Sequence, residues 1–229
     1  MNTISFGNYD WITQERWGAV HKDKPYVWYD ADMVQPHSAN HLSLFTRHKP
    51  KYFSWCDATP EMAVGLISCK HEFDYGVFSL DAKLPNIAFA WPAFWMYSWK
   101  SWPPEIDVFE AYANRRGNYR NNIIDRIFGR PYNVETNVHL LETKNIGGED
   151  GYIKEPMRWN NYKVDWHPNY IKIYYNDRLV RLVEDAETLK YFEGHKMNVI
   201  INNSFYKSHK SHEILMGELE VKNFVYEAH

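Results

Sequence analysis

The sequence predicts an all-β fold, a two-sheet antiparallel sandwich in one domain. Three observations point there. Short runs rich in Val, Ile, Phe, Tyr and Trp recur along the chain, many alternating apolar with polar at period two. Turn-forming residues break these runs at short intervals. No long helical pattern alternates with them, which argues against a parallel α/β sheet. A length of 229 residues suits an undivided sandwich, and no repeat, low-complexity tract or linker interrupts it, so residues 1–229 are read as a single domain.

In chain order the runs are HLSLFT (41–46), AVGLISCK (63–70), YGVFSLDAKL (75–84), AFWMYSW (93–99), EIDVFEAY (105–112), NVETNVHLLE (133–142), NNYKVDWH (160–167), YIKIYYNDRLVRLV (170–183), MNVIINNSFY (197–206) and GELEVKNFVYE (217–227). The run from 170 to 183 reads as a hairpin turning at Asn176-Asp177, because both residue types tolerate positive φ. DAETLKYFEG (185–194) is the helical candidate, a turn or two ended by Gly194. Residues 114–132 and 143–158 read as long loops of the kind that carry binding functions.

Composition narrows the function. A net charge of −3 supplies no general attraction to nucleic acid. No run of eighteen apolar residues exists to span a membrane, and the N-terminus lacks the basic and apolar regions of a signal peptide. The aromatic fraction is high at 17%, with ten Trp and seventeen Tyr, which provides flat surfaces for ligands as well as for a core. Cys56 and Cys69 are read as free, partly buried thiols, because spacing alone assigns no bridge.

The strand EIDVFE is unusual in carrying Glu105, Asp107 and Glu110 among strand-forming residues. On a regular strand Glu110 would share a face with Ile106 and Val108, and would be buried with them. One extra residue between Asp107 and Glu110, a β-bulge, returns all three carboxylates to one face. Such a row suits glycosidic bond cleavage with retention, which needs two carboxyl groups roughly 5–5.5 Å apart. The plain alternative is a solvated strand face.

EIDVFE resembles the E-x-D-x-x-E signature of glycoside hydrolase family 16, in the branch with laminarinases, agarases and carrageenases. The blocks GLISCKHEFDYGVFSLDAKLP (65–85), WPAFW (91–95), WPPEIDVFE (102–110), TNVH (136–139) and YKVDWHPNYIKIYYND (162–177) follow the family's order, and the resemblance covers roughly residues 40 to 227. It implies a concanavalin A-like β-jelly roll with an open concave cleft for a polysaccharide. It also implies Glu105 as nucleophile, Asp107 as assisting carboxylate and Glu110 as acid/base. Trp91 and Trp95 resemble cleft residues of the family; Trp102 joins them as a stacking candidate, and His139 resembles a histidine able to hydrogen-bond a carboxylate. A secreted or cell-surface monomer follows from the same resemblance.

Two departures stand out. Asp81 occupies a position where an Arg is common, and Lys222 in VKN replaces an Asp that often helps to hold a structural calcium, so no metal or cofactor is expected. The expected substrate is a β-1,3- or mixed-linkage β-glucan cut internally. Arg115 opens an arginine-rich stretch with Arg116, Arg120, Arg126 and Arg130, which suits an anionic or sulfated galactan as the second candidate. A transglycosylase, or a carbohydrate-binding sandwich without turnover, are the remaining readings. HKSH (209–212) reads as surface loop rather than a zinc site, lacking a third ligand nearby.

Overall fold

The computed structural model describes residues 2–21, 26–113, 132–141, 144–146, 148–205 and 216–229. Among them, seventeen strands build two layers: β1 (Thr3–Phe6), β2 (Tyr9–Ile12), β3 (Val27–Tyr29), β4 (Val34–Ser38), β5 (His41–His48), β6 (Met62–Phe73), β7 (Gly76–Lys83), β8 (Ala90–Tyr97), β9 (Glu105–Glu110), β10 (Tyr132–Leu141), β11 (Lys144–Asn145), β12 (Glu149–Ile153), β13 (Asn160–His167), β14 (Tyr170–Tyr175), β15 (Arg178–Val183), β16 (Met197–Phe205) and β17 (Met216–Ala228). The front layer runs β12–β10–β9–β8–β16–β6–β2–β1. The back layer runs β15–β14–β13–β7–β17–β5–β4. Every pairing is antiparallel except β3 with β6.

One strand belongs to both layers. The start of β6, Met62 to Val64, pairs with β5, while Gly65 to Phe73 pairs with β16. At the crossing, a Cβ on Gly65 would come within 2.6 Å of the Met33 carbonyl oxygen and 3.1 Å of Leu44 Cα. The missing side chain is what lets the strand pass from one layer to the other.

Between the layers lies the core. Phe94, Met96, Ile106, Phe109, Val199 and Ile201 from the front meet Phe78, Leu80, Val164, Trp166, Ile171 and Ile173 from the back, all fully buried. Each large apolar side chain removed from water stabilises the fold by about 1.5–3 kcal/mol. The alternating burial of β7 and β13 is the period-two pattern legible in their sequences.

The hairpin turn lies where expected, with Asn176 and Asp177 both at positive φ (49° and 60°). The helical stretch is also present, as α1 (Ala186–Leu189) followed by a 3-10 turn over Lys190–Phe192. Asp185 caps it, its Oδ2 accepting from the Thr188 amide at 2.9 Å, and Gly194 at φ 71° follows its end.

Two expectations need correction. The segment 143–158 is not simply a loop, because β11 and β12 pair along the edge of β10. Its Gly-rich, acidic composition hides a strand that forms through pairing rather than propensity. The N-terminal strands β1 to β4 were not anticipated either; β1 and β2 are four residues each and turn at Gly7 and Asn8, both at positive φ.

Candidate active site

The bulge in β9 is recorded by both of its neighbours. Along β10, Glu135 stands opposite Glu110 and Asn137 opposite Asp107, so two steps on β10 match three on β9. Along β8, Phe94 pairs with Phe109 and Trp95 already pairs with Asp107. Val108 is the extra residue. Directly paired residues share a sheet face, so Glu105, Asp107 and Glu110 lie on the face of Tyr97, Trp95 and Ala93 from β8 and of His139, Asn137 and Glu135 from β10. The opposite face carries Ile106 and Phe109 into the core.

Each carboxylate has a defined set of donors. Trp102 Nε1 donates to Glu105 Oε2 at 2.6 Å. His139 Nε2 lies between the other two carboxylates, 3.5 Å from Glu105 Oε1 and 3.2 Å from Asp107 Oδ2. Trp91 Nε1 and the Tyr112 hydroxyl each donate to Glu110 Oε1 at 2.9 Å. Trp95 Nε1 donates to Asn202 Oδ1 at 2.8 Å, and Asn202 Nδ2 donates to the Trp91 carbonyl at 3.3 Å. The Trp95 ring stacks on Tyr97 (5.4 Å, 23°) and the Trp102 ring leans on His139 (6.2 Å, 41°).

Burial shapes the electrostatics. Loss of water and the nearby Asp107 charge push the Glu105 carboxyl well above the usual carboxylate range, with Glu110 adding a smaller push; His139 and the Trp102 indole pull the other way. Glu105 and Asp107 therefore act as a coupled pair that resists carrying two charges at once. Burial and the Glu110 charge likewise push up the Tyr112 hydroxyl, keeping it a donor at neutral pH.

The sequence-predicted residues Glu105, Asp107, Glu110, Trp91, Trp95, Trp102 and His139 come together on this face. Trp102 is half exposed, whereas Trp91 and Trp95 are partly buried and bonded in place. Arg115 and the arginines up to Arg130 lie outside the described residues, as do His209 and His212. Sequence reasoning missed Tyr112 and Asn202. Tyr112 sits two positions beyond Glu110, so the period-two rule alone could have found it. Asn202 lies on a strand buried throughout, where no alternation distinguishes the cleft side.

Glu105, Asp107 and His139 offer three ligand atoms within 4.8 Å of one another, a grouping compact enough for a cation. Lys222, the residue replacing a calcium-holding Asp, places its ammonium 4.1 Å from the centre of the Trp159 ring. A protonated amine has no lone pair for a cation, and its charge repels one, so this residue does not fit that calcium.

Comparison with known proteins agrees with this geometry. The sequence profile of the glycosyl hydrolases family 16 matches residues 22–214. An endo-1,3-1,4-beta-glycanase of Rhizobium meliloti (strain 1021) is 28% identical over 94 residues, 41% of this chain but 19% of that protein, so the shared stretch is under a fifth of the relative's length. The catalytic domain of an endo-1,3-beta-glucanase (laminarinase) from Thermotoga petrophila RKU-1 superimposes with a TM-score of 0.74 at 17% identity, covering 99% of this chain and 94% of that one. A non-specific endo-beta-1,3(4)-glucanase matches with the same TM-score and identity over 96% and 84% of the two chains. With the family profile spanning most of its length, this chain belongs to the glycosyl hydrolases of family 16.

Proposed function

We propose that the protein is a retaining endo-hydrolase of a β-1,3- or mixed-linkage β-1,3-1,4-glucan. The observation that carries this reading is the bulged strand, which turns Glu105, Asp107 and Glu110 to one face with stacking rings alongside. Family membership supports hydrolysis of a glycoside, and the named activities of the similar proteins support a β-glucan.

In this mechanism Glu105 attacks the anomeric carbon while Glu110 protonates the leaving oxygen. The coupled pair explains how a carboxyl with a raised pKa can still serve as nucleophile. Glu105 and Asp107 resist carrying two charges at once, and the single charge of the pair is steadied by Trp102 and His139. Once Glu105 is esterified its charge is gone, and Asp107 no longer faces a like-charged neighbour there. Glu110, now a base, takes a proton from water, which releases the sugar with its configuration retained.

Among the described residues no helix is long and apolar enough to cross a membrane. A polymer substrate is too large to enter a cell intact, which supports action outside it. The test is incubation with laminarin, lichenan, agarose, porphyran and carrageenans, measuring new reducing ends. Release from laminarin or lichenan, with proton NMR of fresh product recording the β-anomer first, is the expected result. Release from the galactans alone would move the substrate assignment, and an initial α-anomer would remove Glu105 as nucleophile.

A further inference from the structure

The extra residue in β9 leaves a buried backbone group to satisfy. Val108 is matched by neither neighbouring strand, and its carbonyl takes a partner from outside the sheet. The partner comes from the other layer. Tyr175, on β14 and almost fully buried, reaches across the core and donates its hydroxyl to the Val108 carbonyl at 2.9 Å; the Glu135 carbonyl lies 3.3 Å from the same oxygen. Beside it, the buried Arg181 of β15 donates Nη1 to the Thr136 carbonyl at 3.0 Å. Thr136 lies between Glu135 and Asn137, the residues opposite Glu110 and Asp107. Both strands at the bulge are thus tied to the back layer.

A separate feature makes room for this contact. Gly151 of β12 pairs with Val134 of β10, and a Cβ on Gly151 would overlap Tyr175 Cε2. The front layer omits a side chain where the tyrosine ring passes.

We propose that Tyr175, supported by Arg181, is a positioning residue for the hydrolysis: by holding the Val108 carbonyl it fixes the offset that keeps Glu110 on the same face as Glu105 and Asp107. A one-residue slip in a strand turns its side chains to the opposite face. The bulge is the one place where β9 could relax in that direction. The proposal rests on the glucanase reading for its kinetic consequence, but not for its structural one.

The experiment compares wild type with Tyr175→Phe, which removes only the hydroxyl, and with Gly151→Ala, which displaces the ring. Each should lower kcat by about 10- to 100-fold with KM within about twofold, because misplacing a reacting group by about 1 Å costs on that order. Far-UV circular dichroism should stay native. Carbon-13 NMR of labelled carboxyl groups should show a displaced Glu105 titration midpoint in Tyr175→Phe, a readout that needs no turnover. Folded variants with wild-type kcat and an unmoved midpoint would overturn the proposal, whatever their melting temperatures. If wild type cuts no polysaccharide, the glucanase reading fails, and the midpoint alone decides the role of Tyr175.

Discussion

Trp91 and Glu110 are joined by a 2.9 Å hydrogen bond from the indole to Oε1, the same oxygen that accepts from Tyr112, whose ring stacks on Trp91 at 5.4 Å. Two donors on Oε1 leave Oε2 as the oxygen of Glu110 free to face the leaving group in the proposed mechanism. Trp91→Phe keeps a ring and loses one donor. Hydrogen bonds to charged groups contribute about 1.5–3 kcal/mol, so kcat on the preferred glucan should fall by roughly 10- to 100-fold with KM little changed. Trp91→Ala, which also removes the ring, should raise KM as well. Steady-state kinetics of the two variants check both statements.

Glu105→Gln should abolish turnover, by roughly 10⁴-fold or more, and should stabilise the protein at neutral pH. The sign follows from linkage. The folded state holds the Glu105 proton more tightly than the unfolded chain, whose value is near 4.5, so stability falls as pH rises above that point. Gln carries no such cost. Melting of the variant should lie about 2–6 °C above wild type at pH 7, with the gap closing below about pH 4.5. Equal melting at pH 7 would mean that the site accommodates the ionised carboxyl without penalty.

His139→Gln should move the acid limb of kcat/KM to higher pH. In the proposed mechanism Glu105 must be ionised to attack, so activity should be lost as pH falls through the value of the Glu105–Asp107 pair. Burial and mutual repulsion raise that value, and His139 lowers it. Removing the imidazole removes the opposing influence. A pH profile whose acid limb stays put would assign His139 to substrate contact alone.

The two thiols should separate cleanly in a reagent assay. Cys56 is exposed, with Sγ 3.7 Å from the Phe53 carbonyl oxygen, while Cys69 is buried and its thiol is pushed up to about 12 by loss of water. One equivalent should react with an aromatic disulfide in the native state, and the second only after unfolding in guanidinium. Two fast equivalents would show that the β2–β6 pairing over Cys69 opens readily.

Much of the site was legible because carboxylates in a strand conflict with their surroundings. The register conflict at Glu110 locates the bulge in the sequence itself, since only an extra residue keeps both Phe109 inside and Glu110 on the carboxylate face. What holds the bulge was not legible. Tyr175 sits in a run of alternating aromatics that reads as ordinary core, and its hydroxyl finds Val108 only through packing of the two layers. Arg181 was hidden in the same way, since its run, RLVRLV, reads equally well with the arginine in water. The N-terminal strands and β12 escaped for a different reason. They are short, polar and set by the edges they cover, and edge pairing leaves little mark on composition.

The groove differs on its two sides. On one flank of β9 the cleft offers Trp91, Trp95 and Tyr97; on the other it offers His139, Asn137 and Glu135. Among the described residues, a polymer cut at β9 would leave one half against Trp91 and Trp95 and the other against polar tips joined by the half-exposed ring of Trp102. In the proposed double displacement the half esterified to Glu105 departs last, so slow release of that half at saturating substrate would set the turnover rate and give a pre-steady-state burst of the leaving half.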